Sequence, residues 1–347
     1  MNRNVQNQEV QIRQVQTLVF EGIGSESWAA GDDSTVRADL ENLQGRLKGW
    51  AKKHAIEDMS QVRGLTPEEY DLLIQVLAQV VRLQSGTLNV IEHLESTPMI
   101  NKKSPAMCIQ GLLAHHVYTK IVSRPFFVFR DNSDLFQALF EHIELGKRSI
   151  SWQSTLVIAN MSEVDQNEAH ILRSRTLRLL ATPPPNGAQG NGTYCHTTNQ
   201  KAVCQELARE FYESPVRHLV KPPCRKGGNA AAQCLEDLVS IVQYAGELSY
   251  KLWSRRTTLE ILTLGNLGGV PFRMDFEYMK AHPLHRLYED DDRCDGWFAS
   301  VVTHPAVVGY GSSDGKDYST PRVWMKAEVW LAEDAAAASG AAVEGKV

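Results

Sequence analysis

The sequence predicts a mainly α fold: a multi-helix, bundle-like body with a small C-terminal α+β extension that contains a strand pair. Three observations predict it. Apolar residues recur in steps of three and four over most of residues 34–264, the spacing that lines one face of a helix. Helix-start signals precede several of these stripes. The clearest is Thr66-Pro67-Glu68-Glu69, with Thr at the N-cap, Pro at the first helical position and Glu at the third. Strand character is confined to 298–309 and 322–331, where β-branched and aromatic residues gather around a Gly/Ser/Asp loop at 310–321.

In chain order, residues 1–33 are polar and rich in Gln and Asn, and read as a loose segment. Val36, Leu40, Leu43, Leu47, Trp50, Ala51 and His54 form one stripe, which predicts a helix from about Ser34 to Ala55 docked on a core. The capped helix after Thr66 carries Leu72, Leu73, Val76, Leu77, Val80 and Leu83. Ser104-Pro105 opens a third helix that Pro125 should stop, and Phe126-Phe127-Val128-Phe129 is too apolar for the surface. Further helices are expected after Ser133, over 147–160, and from Ser162 to Leu180. The stretch 181–193, with three prolines and three glycines, excludes regular structure. Helices follow over 198–213 and, in the longest pattern, from Asn229 to about Leu264, as one helix or two with a kink near Gly246 or Ser254. In 322–331, Val323, Met325, Ala327 and Val329 alternate with Trp324, Lys326, Glu328 and Trp330, as on the two faces of a strand. The organisation read from this is a loose segment 1–33, a helical body 34–264 with its loop at 181–193, a C-terminal extension 265–332 and a disordered tail 333–347.

Composition bounds the function. The 347 residues are 43% hydrophobic and 22% charged, with 36 basic and 41 acidic side chains, which excludes wholesale disorder and a basic nucleic-acid coat. Arg173, Arg175 and Arg178 form only a small basic patch, and the net charge of -5 opposes phosphate affinity, so no nucleic-acid partner is expected. No window approaches 18 uninterrupted apolar residues and the N-terminus lacks the apolar stretch of a signal peptide. The expected setting is therefore intracellular, cytoplasmic or nuclear, not secreted and not in a membrane, with six sparse cysteines as free thiols.

Two clusters could carry chemistry. His282, His285, Glu289 and Asp292 bring imidazoles and carboxylates together within HPLHRLYEDDD, the residue types that bind a divalent metal or perform acid–base work. His282, His285 and Glu289 are the stronger metal candidates, although Pro283 between the histidines disturbs helical geometry and the spacing is not HExxH. Cys195, His196, Cys204 and Cys224 are weaker candidates for zinc, because no close cysteine pair forms a knuckle and Cys204 fits an apolar row. Gly311-Ser312-Ser313-Asp314-Gly315 matches GxSxG, but a strand follows it and no histidine lies beyond it. No cofactor is expected beyond that divalent metal.

Several segments resemble uncharacterised proteins of filamentous ascomycete fungi: the Leu40–Ala55 helix, HPLHRLYEDDD at 282–292, and THPAVVGYG followed by RVWMKAEVWL. The resemblance implies an intracellular, lineage-restricted protein and transfers no functional residue. The functional expectation is a non-enzymatic interaction or regulatory protein that binds a protein partner, or itself, through amphipathic helices. The alternative is a metal-dependent, hydrolase-like enzyme centred on His282, His285 and Glu289. A third reading is a helical pocket for a small apolar ligand, lined by Phe126, Phe127 and Phe129.

Overall fold

The computed structural model describes residues 32–82, 103–129, 170–171, 173–175, 177–178, 191–222, 228–288, 291–312 and 316–333, with backbone alone over 191–198. The fold is mixed α+β rather than a mainly α bundle: among the described residues 58% helix accompanies 17% strand, and the strands build two three-stranded sheets rather than a single pair. The helices expected after Ser133 and over 147–160 lie outside the described residues, as do the loose N-terminal segment up to residue 31 and the tail from 334.

The helical elements begin where the sequence signals place them. Helix α1 (Asp33–His54) buries Val36, Leu40, Leu43, Leu47, Trp50, Ala51 and His54, the whole of the expected stripe, and also Gln44. Helix α2 (Pro67–Leu77) starts from a complete capping box: Thr66 Oγ1 accepts from the Glu69 amide, and the Glu69 carboxylate accepts from the Thr66 amide. It stops at Leu77, and Val81 then bridges to Val301. Helix α3 (Ser104–Val117) runs into a π turn, Tyr118–Val122. The Ile121 and Val122 carbonyls accept from Ser249 Oγ and Trp253 Nε1 of helix α5 (Asn229–Trp253), so the irregular turn is tied to its neighbour. Helix α4 (Asn191–Glu213) begins inside the stretch expected to be an irregular loop, seven residues before the expected start at 198. Phe127, Val128 and Phe129 form a buried 3-10 turn.

The pattern read as helix to Leu264 ends at Trp253. Thr258–Leu262 is instead a strand, β1, followed by a one-turn helix α6 (Leu264–Leu267). The run of Thr257, Thr258 and Ile261 favours the pleated backbone, and the Leu248–Leu252–Leu259–Leu262 spacing imitates a helical row by coincidence of period. Strand β2 (Met279–Ala281) comes next, then β3 (Phe298–His304), β4 (Ala306–Tyr310), β5 (Pro321–Met325) and β6 (Ala327–Ala332).

β3 pairs with β6 and β4 with β5, all antiparallel, in a register that runs from Tyr310↔Pro321 to Phe298↔Ala332. The four segments are therefore one long hairpin, broken at Pro305 and Lys326, where one sheet passes into the other. β1 adds to β4 antiparallel and β2 adds to β6 parallel. β1 lies within the expected body 34–264 and pairs with β4 of the expected extension 265–332. The main core joins them: Leu43, Leu113 and Leu248 from the helices belong to one buried cluster with Val301, Val307, Trp324, Met325 and Trp330 from the ribbon. A second cluster, with Phe272, Met279, Val302 and Val329, covers the ribbon's other side. Helix α3 reaches the ribbon at Gly111, where a Cβ would lie 2.5 Å from the Val302 carbonyl oxygen. Among the described residues, no helix is long and apolar enough to cross a membrane.

Candidate functional site

His282 follows β2 and caps the 3-10 turn Pro283–His285, with its Nδ1 accepting the Leu284 amide at 3.2 Å. Proline at the first position of the turn makes this geometry, which the broken helical pattern foreshadowed. Because Nδ1 is an acceptor, Nε2 carries the proton. It faces the carboxylate of Glu328, 3.6 Å from Oε1. His285 stacks on Trp330 at 3.9 Å between ring centres, and its Nε2 accepts the Leu331 amide at 3.0 Å. Its proton therefore sits on Nδ1, 4.0 Å from Cys294 Sγ. Burial pushes the His282 and His285 imidazoles down to about 4, so both are neutral at physiological pH.

Glu328 is the centre of a polar group that sequence reading passed over. It is 3% exposed. Its carboxylate accepts from Gln44 Nε2 at 3.2 Å and Thr303 Oγ1 at 3.2 Å, with Lys48 Nζ at 3.5 Å. Burial works to raise its pKa, but the Lys48 and Lys280 cations and the Thr303 hydrogen bond outweigh it and hold the carboxyl below its ordinary value. Gln44 and Lys48 sit one turn apart on α1, Thr303 lies on β3 and Glu328 on β6, so this one acid ties the first helix to the ribbon. The adjacent His304 is 1% exposed. Its Nδ1 donates to the Pro305 carbonyl at 2.8 Å and its Nε2 accepts from Tyr118 Oη at 3.0 Å. The sequence signal for this group was a charge in register with Trp324 and Trp330 on one face of RVWMKAEVWL.

The remaining candidates disperse. Asp292 is exposed, and Glu289 lies outside the described residues. Asp291 and Asp295 hold local turns, accepting from the Arg293 and Met274 amides, while Arg293 donates to the His285 and Arg286 carbonyls. Among the described residues, no group of three His, Cys, Asp or Glu side chains is arranged to hold a metal. Cys204 is buried beside α5, its Sγ 3.0 Å from where a Cβ on Gly246 would stand, and burial pushes its thiol up to about 12. Cys224 lies outside the described residues, as do the side chains of Cys195 and His196. The GxSxG serine, Ser313, is outside them too.

Phe126, Phe127 and Phe129 are buried in the main core, with Phe127 Cζ 3.1 Å from the same Gly246 Cβ position. The rings fill the space they were expected to line. A cavity of about 10 Å³, room for roughly one water, lies elsewhere, between α3 and β3, lined in part by Gln79, Gly111, His115 and Thr263. That is below the size of ordinary small-molecule sites. The basic patch also changes meaning. Arg173 is 2% exposed and, with Arg178, donates to carbonyls at the end of α5. These side chains face the negative end of a helix instead of solvent.

Leu72 on α2 is 51% exposed, in the row of half-buried Leu65 and Val76 and flanked by exposed Glu68 and Asp71. No protein-family model, curated protein or solved structure matches the chain.

Proposed function

We propose that the chain is a non-enzymatic interaction protein that binds a partner protein or a second copy of itself through the outer face of α2. Leu72 carries the reading. Among the described residues, Leu72 and Tyr288 are the large apolar side chains left exposed, and of the two Leu72 projects from a short, firmly capped helix, with half-buried Leu65 and Val76 in its row. A preordered helix with a one-residue apolar anchor and acidic flanks suits recognition of a helix or strap that carries apolar and basic residues. The histidine cluster supports the same reading. The lone pairs of His282 and His285 accept backbone amides, so neither ring offers a free lone pair to a metal or a proton donor without giving up a backbone hydrogen bond. His285 also directs an N–H at Cys294, so it does not act as a base toward that thiol.

A photo-crosslinking residue introduced at position 72 of the full chain tests this in native-host extract. The expected result is one discrete adduct, with a partner or with a second copy, that a crosslinker at exposed Glu236 does not form and that Leu65→Glu suppresses. The same adducts from both positions, or none from position 72, would contradict the proposal.

A further inference from the structure

Where the helical body meets the ribbon, two neutral histidines act as hydrogen-bond acceptors, one from a guanidinium and one from a buried hydroxyl. His170 Nδ1 lies 2.9 Å from Arg173 Nη1. A guanidinium only donates, so the imidazole must accept there and must be neutral. Arg173 Nη2 donates in turn to the carbonyls of Arg255, at 2.9 Å, and Thr257, at 2.7 Å, which fix the link from α5 into β1. Tyr318, in the loop before β5, lies against the His170 ring, with centres 4.5 Å apart and planes tilted by 31°, and donates to the Arg256 carbonyl. His304 stands at the bend of the ribbon, and its acceptor nitrogen takes the hydroxyl of Tyr118 in the π turn.

We propose that this seam is a proton-sensitive joint, closed while His170 and His304 are neutral and loosened when they are protonated. Protonated His170 would direct an N–H at a guanidinium 2.9 Å away, setting two cations together with the Tyr318 ring on the other side. Among the described residues, the charged and titratable groups that face it are Arg173 and Tyr318, with Arg178 bound to the neighbouring Ser254 carbonyl. Protonated His304 would reverse its bond with Tyr118, whose hydroxyl would accept from Nε2–H, and would place a full positive charge inside a fully buried site. The groups facing His304 are Tyr118 from the π turn, Glu328 from β6, which favours the proton, and Lys280 from β2, which opposes it. Burial, the largest cause in both cases, pushes both imidazoles down to about 4 from an ordinary 6.5. Between those limits the unfolded or opened chain takes up protons that the closed seam refuses, so closure strengthens as pH rises from 4 to 6.5 and is lost on the way down.

Thermal and urea unfolding of the full chain from pH 7.5 to 4.5 tests the joint against His170→Asn and His304→Gln, each of which keeps an acceptor and cannot titrate. Each variant is expected to shed one proton of linkage, so that its unfolding constant climbs up to about tenfold less per pH unit than that of the wild type. Hydrogen exchange on the wild type supplies a second reading that needs no variant to fold. Protection, corrected for intrinsic rates, should fall first in 253–262 and 298–312. Parallel pH curves for wild type and both variants, or a uniform loss of protection over the whole chain, would overturn the joint.

Discussion

Glu328 shows how much one side chain can decide. A carboxylate taken out of water is costly unless its oxygens are bonded and its charge is met, and here Gln44, Thr303, Lys48 and His282 do both. Replacing it by alanine leaves the Lys48 ammonium and the Gln44 amide without this acceptor, while the Thr303 hydroxyl keeps the Glu328 backbone carbonyl at 3.0 Å. Glu328→Ala should therefore cost about 3 kcal/mol in urea denaturation. The reduction should appear in the midpoint with the slope unchanged, and a loss under 1 kcal/mol would remove the carboxylate from its role as the tie between α1 and the ribbon. His282 and His285 were legible as a pair from the sequence, because imidazoles three residues apart are conspicuous. Their use was not, because it depends on which backbone amides arrive at each ring. Leu331 lies 46 residues after His285, a relation fixed only by the pairing of the ribbon. Glu328 was hidden for a related reason: an acidic residue in an alternating strand reads as solvent-facing, and here both faces of the strand are covered.

Elements with a local cause were readable, and elements with a distant cause were not. The α1 stripe, the α2 capping box, the stop after Ser123 and the hairpin around 310–321 all follow from neighbours in the chain. The end of α5 at Trp253 follows instead from β1 pairing with a strand more than forty residues later, and no local spacing records that. The same holds for the approach of α3 to β3, which is set at Gly111. A methyl group there would stand 2.5 Å from a backbone oxygen of β3, which cannot rotate aside. Gly111→Ala should accordingly cost about 1–3 kcal/mol, the usual range for overpacking a closed contact, despite the higher helix propensity of alanine. Thermal unfolding decides it: a melting temperature equal to or above that of the wild type would show that the helix and strand are not held in this contact.

At the scale of the whole molecule, the fold is one body in which an N-terminal helix, a central helix pair and a C-terminal ribbon share a core. Its polar chemistry is concentrated along the seam between helices and ribbon. There Glu328, His304, His170 and Arg173 are bonded to backbone and side chains of the chain itself, and among the described residues the large apolar side chains left exposed are Leu72 on α2 and Tyr288. Beside the exposed Leu72, the non-enzymatic reading requires the histidine cluster to be structural, with one nitrogen of each ring engaged by a backbone amide. Imidazole nitrogen shifts from long-range proton–nitrogen correlation spectra test that claim most directly. At pH 7 the account predicts a single neutral tautomer for each ring, protonated at Nε2 in His282 and at Nδ1 in His285, with neither moved by added zinc. An averaged or reversed tautomer, or zinc-induced shifts at both rings, would contradict it and return the cluster to metal-dependent chemistry.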